Sequence, residues 1–172
     1  MLIRSGVPVV LGALVLAGCG AQPSARPSST SSSTASSSGA SAATEVDGPR
    51  PRLAMTYDGG VLVLDARTGE VLLDEEREGF LRLNPAGDGR HVLVSGAGGL
   101  TALDTGAWTD EHGDHGHSWT GEPRVTGFRI EADEPGHVVA HHGRTTVFDD
   151  GTGAITVFDP ADLADGTPEV ET

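Results

Sequence analysis

The stretch GGVLVLDARTG, residues 59–69, decides the fold class of this chain. Its short apolar run lies between a Gly-Gly pair and an Asp-x-x-Thr-Gly turn, the pattern of a strand in a β-hairpin. Related stretches follow, GGLTALDTG at residues 98–106 and GAITVFDPADL at residues 153–163. Their aspartates, Asp65, Asp104 and Asp159, are 39 and 55 residues apart. A period near 40 with several strands per unit predicts β-propeller blades.

The second interval is longer than the first by 16 residues, and a histidine-rich stretch falls within it. We interpret this stretch as an insertion on a regular scaffold, where binding groups are commonly placed. Residues 84–94, NPAGDGRHVLV, are similar to a turn that precedes a buried strand in many propeller blades. No sustained helical period follows Thr44, which argues against a helical fold.

The predicted fold is therefore all-β, a partial β-propeller of about 2.5–3 blades within residues 46–172. A closed propeller needs at least about four blades. We expect either a piece of a longer protein or a chain whose open sheet edges pair with another chain.

The first 45 residues predict export rather than folding. Residues 1–18 are typical of a signal peptide, with Arg4 before an apolar run too short to span a bilayer. The run ends in Leu-Ala-Gly-Cys, which resembles the lipobox of bacterial lipoproteins and implies a lipid on Cys19; an ordinary signal peptide is the alternative. Residues 19–45 are rich in Ser, Ala, Thr and Pro and predict a flexible linker. We expect an extracytoplasmic protein that is lipid-anchored to the cell membrane, in the periplasm or its equivalent.

Composition excludes some partners. The chain has 25 acidic and 11 basic residues, for a net charge of −14, and all its acidic residues follow Thr44. Such a surface disfavours nucleic acid and weakly attracts cations. The single cysteine excludes an intrachain disulfide.

The sequence EHGDHGH, residues 111–117, concentrates metal-binding side chains. Imidazole nitrogens and carboxylate oxygens are zinc ligands, and Gly113 and Gly116 permit the positive φ angles that a curled loop requires. His115 and His117 project to one side if the chain is extended, and His112 joins them if Gly113 folds it back. Asp114 or Glu111 is a candidate to complete the shell or to orient a ring. The absence of sulfur ligands favours Zn(II), and less firmly Cu(II) or Ni(II), over Cu(I); a solvated polar loop is the alternative.

Other candidates are weaker. In the strand GHVVAHHG, residues 136–143, His141 is a possible further ligand, with His137 and His142 less favoured and a structural role equally open. His91 is interpreted as structural or exposed. Trp108 and Trp119 flank the histidine-rich stretch, where they are more readily explained as pinning it to the scaffold than as stacking on a ligand.

Catalytic motifs are lacking. The sequence contains neither a His-Glu-x-x-His motif nor a Gly-x-Ser-x-Gly motif. A hydrolytic zinc site stays open on the residues alone, because three protein ligands and a water form the catalytic arrangement.

Residues 104–163 resemble the N-terminal part of AztD-type zinc metallochaperones, with a looser similarity from Leu53. The His-Gly-Asp-His-Gly-His motif, the Gly-Glu-Pro-Arg that follows and the His-Val-Val-x-His strand carry the resemblance. It implies a periplasmic β-propeller that binds zinc and delivers it to the solute-binding protein of a zinc ABC transporter. By the same resemblance the metal residues are His112, Asp114, His115, His117 and, less directly, His141.

We therefore expect a zinc-binding metallochaperone that is not an enzyme. Its expected partners are the zinc ion, the solute-binding protein and, through the lipid alone, the membrane. The alternatives are a protein-interaction scaffold with an incidental histidine loop and a zinc-dependent hydrolase.

Overall fold

The computed structural model describes residues 43–172; the predicted signal peptide, Cys19 and most of the predicted linker lie outside the described residues. Within this range the chain forms thirteen β-strands and one short 3-10 helix. The strands are β1 (Thr44–Val46), β2 (Arg52–Tyr57), β3 (Gly60–Asp65), β4 (Val71–Glu76), β5 (Arg82–Pro85), β6 (His91–Gly96), β7 (Gly99–Asp104), β8 (Ala107–His112), β9 (His115–Thr120), β10 (Arg124–Glu131), β11 (Pro135–His141), β12 (Arg144–Asp149) and β13 (Ile155–Phe158), and the helix is Pro160–Ala164. In this described part no helix is long and apolar enough to cross a membrane.

The strands form four small antiparallel sheets. Three of them follow one another along the chain as blades: β2-β3-β4, then β5-β6-β7-β10, then β11-β12-β13. In the fourth sheet, β1-β9-β8, strands β8 and β9 interrupt the second blade between β7 and β10, and β1 comes from the start of the described residues. The all-β, partial-propeller prediction is confirmed, and so is the prediction that the histidine-rich stretch is an insertion.

The second blade holds the core because neighbouring blades cover both of its faces. Side chains alternate across a strand, so Leu93 of β6 packs in one apolar cluster with residues of the third blade, such as Val147 and Phe158. The next residue, Val94, packs in the other cluster with Val61 and Val63 of the first blade. Face-to-face packing of successive sheets is the arrangement of propeller blades.

The structure corrects one member of the predicted repeat. The main-chain N–H of Gly69 donates to the Asp65 carbonyl, 2.8 Å, and the N–H of Gly153 donates in the same way to Asp149, 2.8 Å. The third equivalent of Asp65 is thus Asp149, at the end of β12. The predicted equivalent, Asp159, instead caps the 3-10 helix, where its carboxylate accepts from a main-chain N–H.

These turn aspartates are held as carboxylates by nearby donors. The main-chain N–H groups of Arg67 and Thr68 lower the pKa of Asp65 below its usual range. The Thr152 hydroxyl and the Glu134 N–H do the same for the pKa of Asp149. Ion–dipole bonds of this kind explain why the Asp-x-x-Thr-Gly pattern ends a blade strand.

The predicted turn before β6 is present and explains His91. Its ring is fully buried, and its Nδ1 lies 2.5 Å from a carboxylate oxygen of Asp88. The Asp88 carboxylate also accepts from the main-chain N–H groups of Arg90 and His91. His91 is therefore structural and not exposed, which was one of the two interpretations of the sequence.

Candidate metal centre

The histidine-rich stretch is a two-stranded β-hairpin, which we call the histidine hairpin (β8 and β9). The strands are joined by Gly113 and Asp114, and Gly113 has the predicted left-handed conformation, with a φ of 59°. Gly116 does not have the predicted positive φ. It lies within strand β9, where an added Cβ would meet Glu111 Oε2 at 3.0 Å.

Three imidazoles lie on one face of the hairpin. His112 pairs directly with His115 across the strands, and His117 is two residues further along β9, so all three project to the same side. The His117 ring centre lies 5.1 Å from that of His115 and 5.7 Å from that of His112. The three side chains therefore share one face of the hairpin, and their role as metal ligands stays a prediction.

The carboxylates divide between the two faces. Glu111 lies on the opposite face, over Gly116, so the suggestion that it completes the shell is wrong for this conformation. Asp110 pairs directly with His117 and therefore shares the histidine face. The sequence analysis did not name Asp110 as a candidate. Its spacing of two residues from His112 nevertheless indicates that the two side chains lie on the same face of a strand.

Two further carboxylates contact the rings. Asp114 Oδ1 lies 3.1 Å from Nδ1 of His115, and Glu45 Oε1 lies 2.6 Å from Nδ1 of His117. Glu45 belongs to β1, which pairs with β9 as the third strand of the sheet. Sequence reasoning placed Glu45 at the end of the linker, and only the fold brings it to the histidines.

The base of the hairpin is pinned to the second blade, as predicted. The Trp108 and Trp119 rings stack with centres 6.4 Å apart, and the Arg90 guanidinium lies over Trp108, 3.7 Å from the ring centre. Arg90 also makes two hydrogen bonds to the Asp104 carboxylate, of 3.0 and 2.7 Å. The cation–π contact therefore connects scaffold and insertion, and the two-point ion pair within the scaffold holds the Arg90 guanidinium in place for it.

Opposing effects act on the buried Asp104 carboxyl. Burial raises its pKa, whereas the hydrogen bonds from Arg90 and the Gly106 N–H, together with the Arg90 charge, lower it. The lowering effects are larger in sum, so the pKa of Asp104 lies below its usual range. The ion pair is consequently intact throughout the neutral and mildly acidic range.

The other histidines occupy the third blade. His141 ends β11, and His142 and Gly143 form the two-residue turn to β12 with φ values of 48° and 69°. His142 is thus a turn residue, not a strand residue as predicted. The ring of His141 lies against that of His142, with centres 3.9 Å apart. The role of His141 as a metal ligand stays a prediction.

The donor chemistry of the hairpin fits zinc, and two of its ring-centre distances are close to those of imidazoles that share one ion. Two imidazoles bound to one tetrahedral zinc at about 2.0–2.1 Å have ring centres about 5 Å apart, close to the spacings around His117. As the side chains stand, no three His, Cys, Asp or Glu groups of residues 43–172 converge on a point. The His115 and His117 side chains are 63% and 41% exposed, so side-chain packing leaves their rings room to reorient around an ion.

Comparison with known proteins identifies the fold. No family model and no curated protein matches the sequence. The apo structure of AztD from Citrobacter koseri matches with a TM-score of 0.65 and 20% identity over 72% of this chain. The chain has an AztD-like fold. A second crystal structure of AztD from the same organism matches with a TM-score of 0.60 and 20% identity over 74% of the chain.

This chain covers 34% and 33% of those two AztD chains. It therefore spans about a third of the length of the solved structures it matches. The AztD-like fold accounts for the succession of face-to-face sheets found here.

Proposed function

We propose that this protein is an extracytoplasmic zinc metallochaperone, not an enzyme. It binds zinc as cargo through the histidine hairpin and delivers it to the solute-binding protein of a zinc ABC transporter. The observation that carries the proposal is the clustering of His112, His115 and His117 on one exposed face with ring spacings suited to one ion. The AztD-like fold supports the same function.

In the proposed site the three imidazoles are ligands. Asp114 is the remaining loop ligand or orients His115, whose Nδ1 it already contacts. His141 is retained as a predicted ligand in the third blade, apart from the hairpin cluster. Imidazole and carboxylate ligands on exposed side chains can be exchanged one at a time with an acceptor, which is compatible with delivery.

A competition titration against a chromophoric zinc chelator tests binding. We expect the wild-type protein to bind zinc more tightly than about 1 μM, and the variant His112→Ala/His115→Ala/His117→Ala to bind at least about 100-fold more weakly. The matched control, His137→Ala/His142→Asn, removes two histidines of the third blade and keeps wild-type affinity. Asparagine suits the left-handed conformation at residue 142.

Two results would overturn the binding proposal: wild-type affinity weaker than about 1 μM, or an unchanged affinity in the hairpin variant. A separate His141→Ala variant tests whether His141 belongs to the zinc site. If His141 is a ligand, the variant should bind zinc clearly more weakly; if His141 is structural, its zinc affinity should not change.

Delivery is tested by mixing the zinc-loaded protein with a metal-free solute-binding protein of a zinc transporter. Direct transfer predicts a rate that rises with acceptor concentration and exceeds the rate of zinc release to a chelator of equal affinity. A rate equal to spontaneous release contradicts delivery and leaves zinc binding intact.

Membrane attachment through Cys19 is part of the proposal and has its own test. Cells that express the full chain are labelled with a fatty acid, and the membrane fraction is collected. We expect label on the wild-type protein and none on Cys19→Ser; equal labelling of both contradicts the lipid anchor.

A further inference from the structure

Strand β1 joins the end of the predicted linker to the histidine hairpin. It pairs with β9 so that Glu45 lies beside Trp119, and His117 is on the same face two residues earlier. Glu45 Oε1 and His117 Nδ1 are 2.6 Å apart, although 72 residues separate them in the sequence. Both side chains are about half exposed, at 54% and 41%, so burial does not force them together.

The contact fixes which ring nitrogen of His117 faces outward. An ionised carboxylate only accepts hydrogen bonds, so Nδ1 of His117 is the donor to Glu45. In the neutral ring the lone pair then belongs to Nε2, which is left available to a metal ion. A carboxylate that accepts from the second nitrogen of a metal-binding histidine both orients the ring and raises its basicity.

We propose that β1 is part of the metal centre and that Glu45 is the positioning residue for His117. This inference rests on the proposed zinc-binding function and extends it to a segment outside the hairpin. Because coupling between two equilibria is reciprocal, zinc on the histidine hairpin stabilises the pairing of β1 with β9. Loading with metal therefore tightens the junction between the linker and the hairpin.

Glu45→Ala tests the positioning role, and Glu111→Ala is its matched control. Glu111 is a carboxylate of the same small sheet that lies on the opposite face. We expect Glu45→Ala to weaken zinc binding about 10- to 100-fold and Glu111→Ala to change it less than about 2-fold. Glu45→Gln, which keeps an accepting oxygen, recovers part of the loss.

Amide hydrogen exchange supplies a readout that a merely structural contact does not move. We expect saturating zinc to slow exchange at the paired amides of β1 in the wild-type protein and in Glu111→Ala, but not in Glu45→Ala.

The inference is overturned if Glu45→Ala and Glu111→Ala bind zinc equally well, or if zinc leaves β1 exchange unchanged in the wild-type protein. Either result leaves the function standing provided that the histidine variant loses zinc. Failure of the wild-type protein to bind zinc instead removes the function itself.

Discussion

The second blade and the sheet of the histidine hairpin are both antiparallel, with four and three strands, but their side chains differ sharply in burial. Leu93 and Ala102 of the blade have no exposed surface, whereas the hairpin presents largely exposed imidazoles. The blade is stabilised by apolar burial on both faces. The hairpin instead depends on a few contacts at its base, which leaves its tip free to carry ligands. Stability and binding are therefore separated along this chain.

The two regions meet where Arg90 of the blade lies over Trp108 of the hairpin. Breaking the Arg90–Asp104 pair, which holds this arginine in place, should have the largest effect. We expect Asp104→Ala to lower the free energy of unfolding by about 3–5 kcal/mol at neutral pH, because it leaves a charged guanidinium without its buried partner. Urea unfolding of the wild-type and variant proteins measures the difference.

The same pair predicts a pH dependence. The pKa of Asp104 is lowered in the folded protein. The contribution of its carboxylate to the free energy of unfolding is therefore complete above the pKa of the unfolded chain, about 3.9, and is lost as the pH falls through the pKa of the folded protein. The difference between the wild-type and Asp104→Ala proteins should therefore shrink below about pH 4. A difference that stays constant from pH 7 to pH 3 contradicts the assignment.

A core truncation sharpens the contrast in burial. Leu93→Ala should cost about 3 kcal/mol of unfolding free energy, because it opens a cavity between two blades. Leu53→Ala is the control, since Leu53 is 50% exposed and a surface change of this kind costs about 0.5 kcal/mol or less. Equal losses in the two variants would mean that the blades do not pack face to face in solution.

A smaller effect is expected at the base of the hairpin. Trp108→Ala removes the ring under the Arg90 guanidinium and should cost about 1 kcal/mol, while amide exchange in β8 and β9 becomes faster. Trp108→Phe keeps an aromatic face, so its free energy of unfolding should lie between those of the wild-type protein and Trp108→Ala. Unchanged hairpin exchange in Trp108→Ala would show that the tryptophan does not hold the insertion in place.

Sequence patterns predicted the fold well where they are local. The alternation in residues 59–69 and 98–106 identified blade strands because hairpin turns and apolar runs are encoded in neighbouring residues. The third repeat was placed one strand too late, since Asp159 follows an apolar run much like the one before Asp149. Only the hydrogen bonds of the turn distinguish a strand-ending aspartate from a helix cap.

The candidate site was predictable within the hairpin and not beyond it. Two-residue spacing placed His115 and His117 on one face, and the Gly113 turn returned His112 to it. The contact with Glu45 depends on the pairing of β1 with β9, which no local pattern of residues reveals. The strand pattern of residues 136–143 and the resemblance both named His141 as a candidate ligand, and its membership of the site stays a prediction.

X-ray absorption at the zinc edge tests the central claim most directly. The protein is loaded with one equivalent of zinc and compared with the variant that lacks His112, His115 and His117. The account predicts nitrogen or oxygen ligands at about 2.0–2.1 Å, with scattering from three imidazole rings that the variant loses. A shell with fewer than two imidazoles, or one that the variant shares, would contradict it.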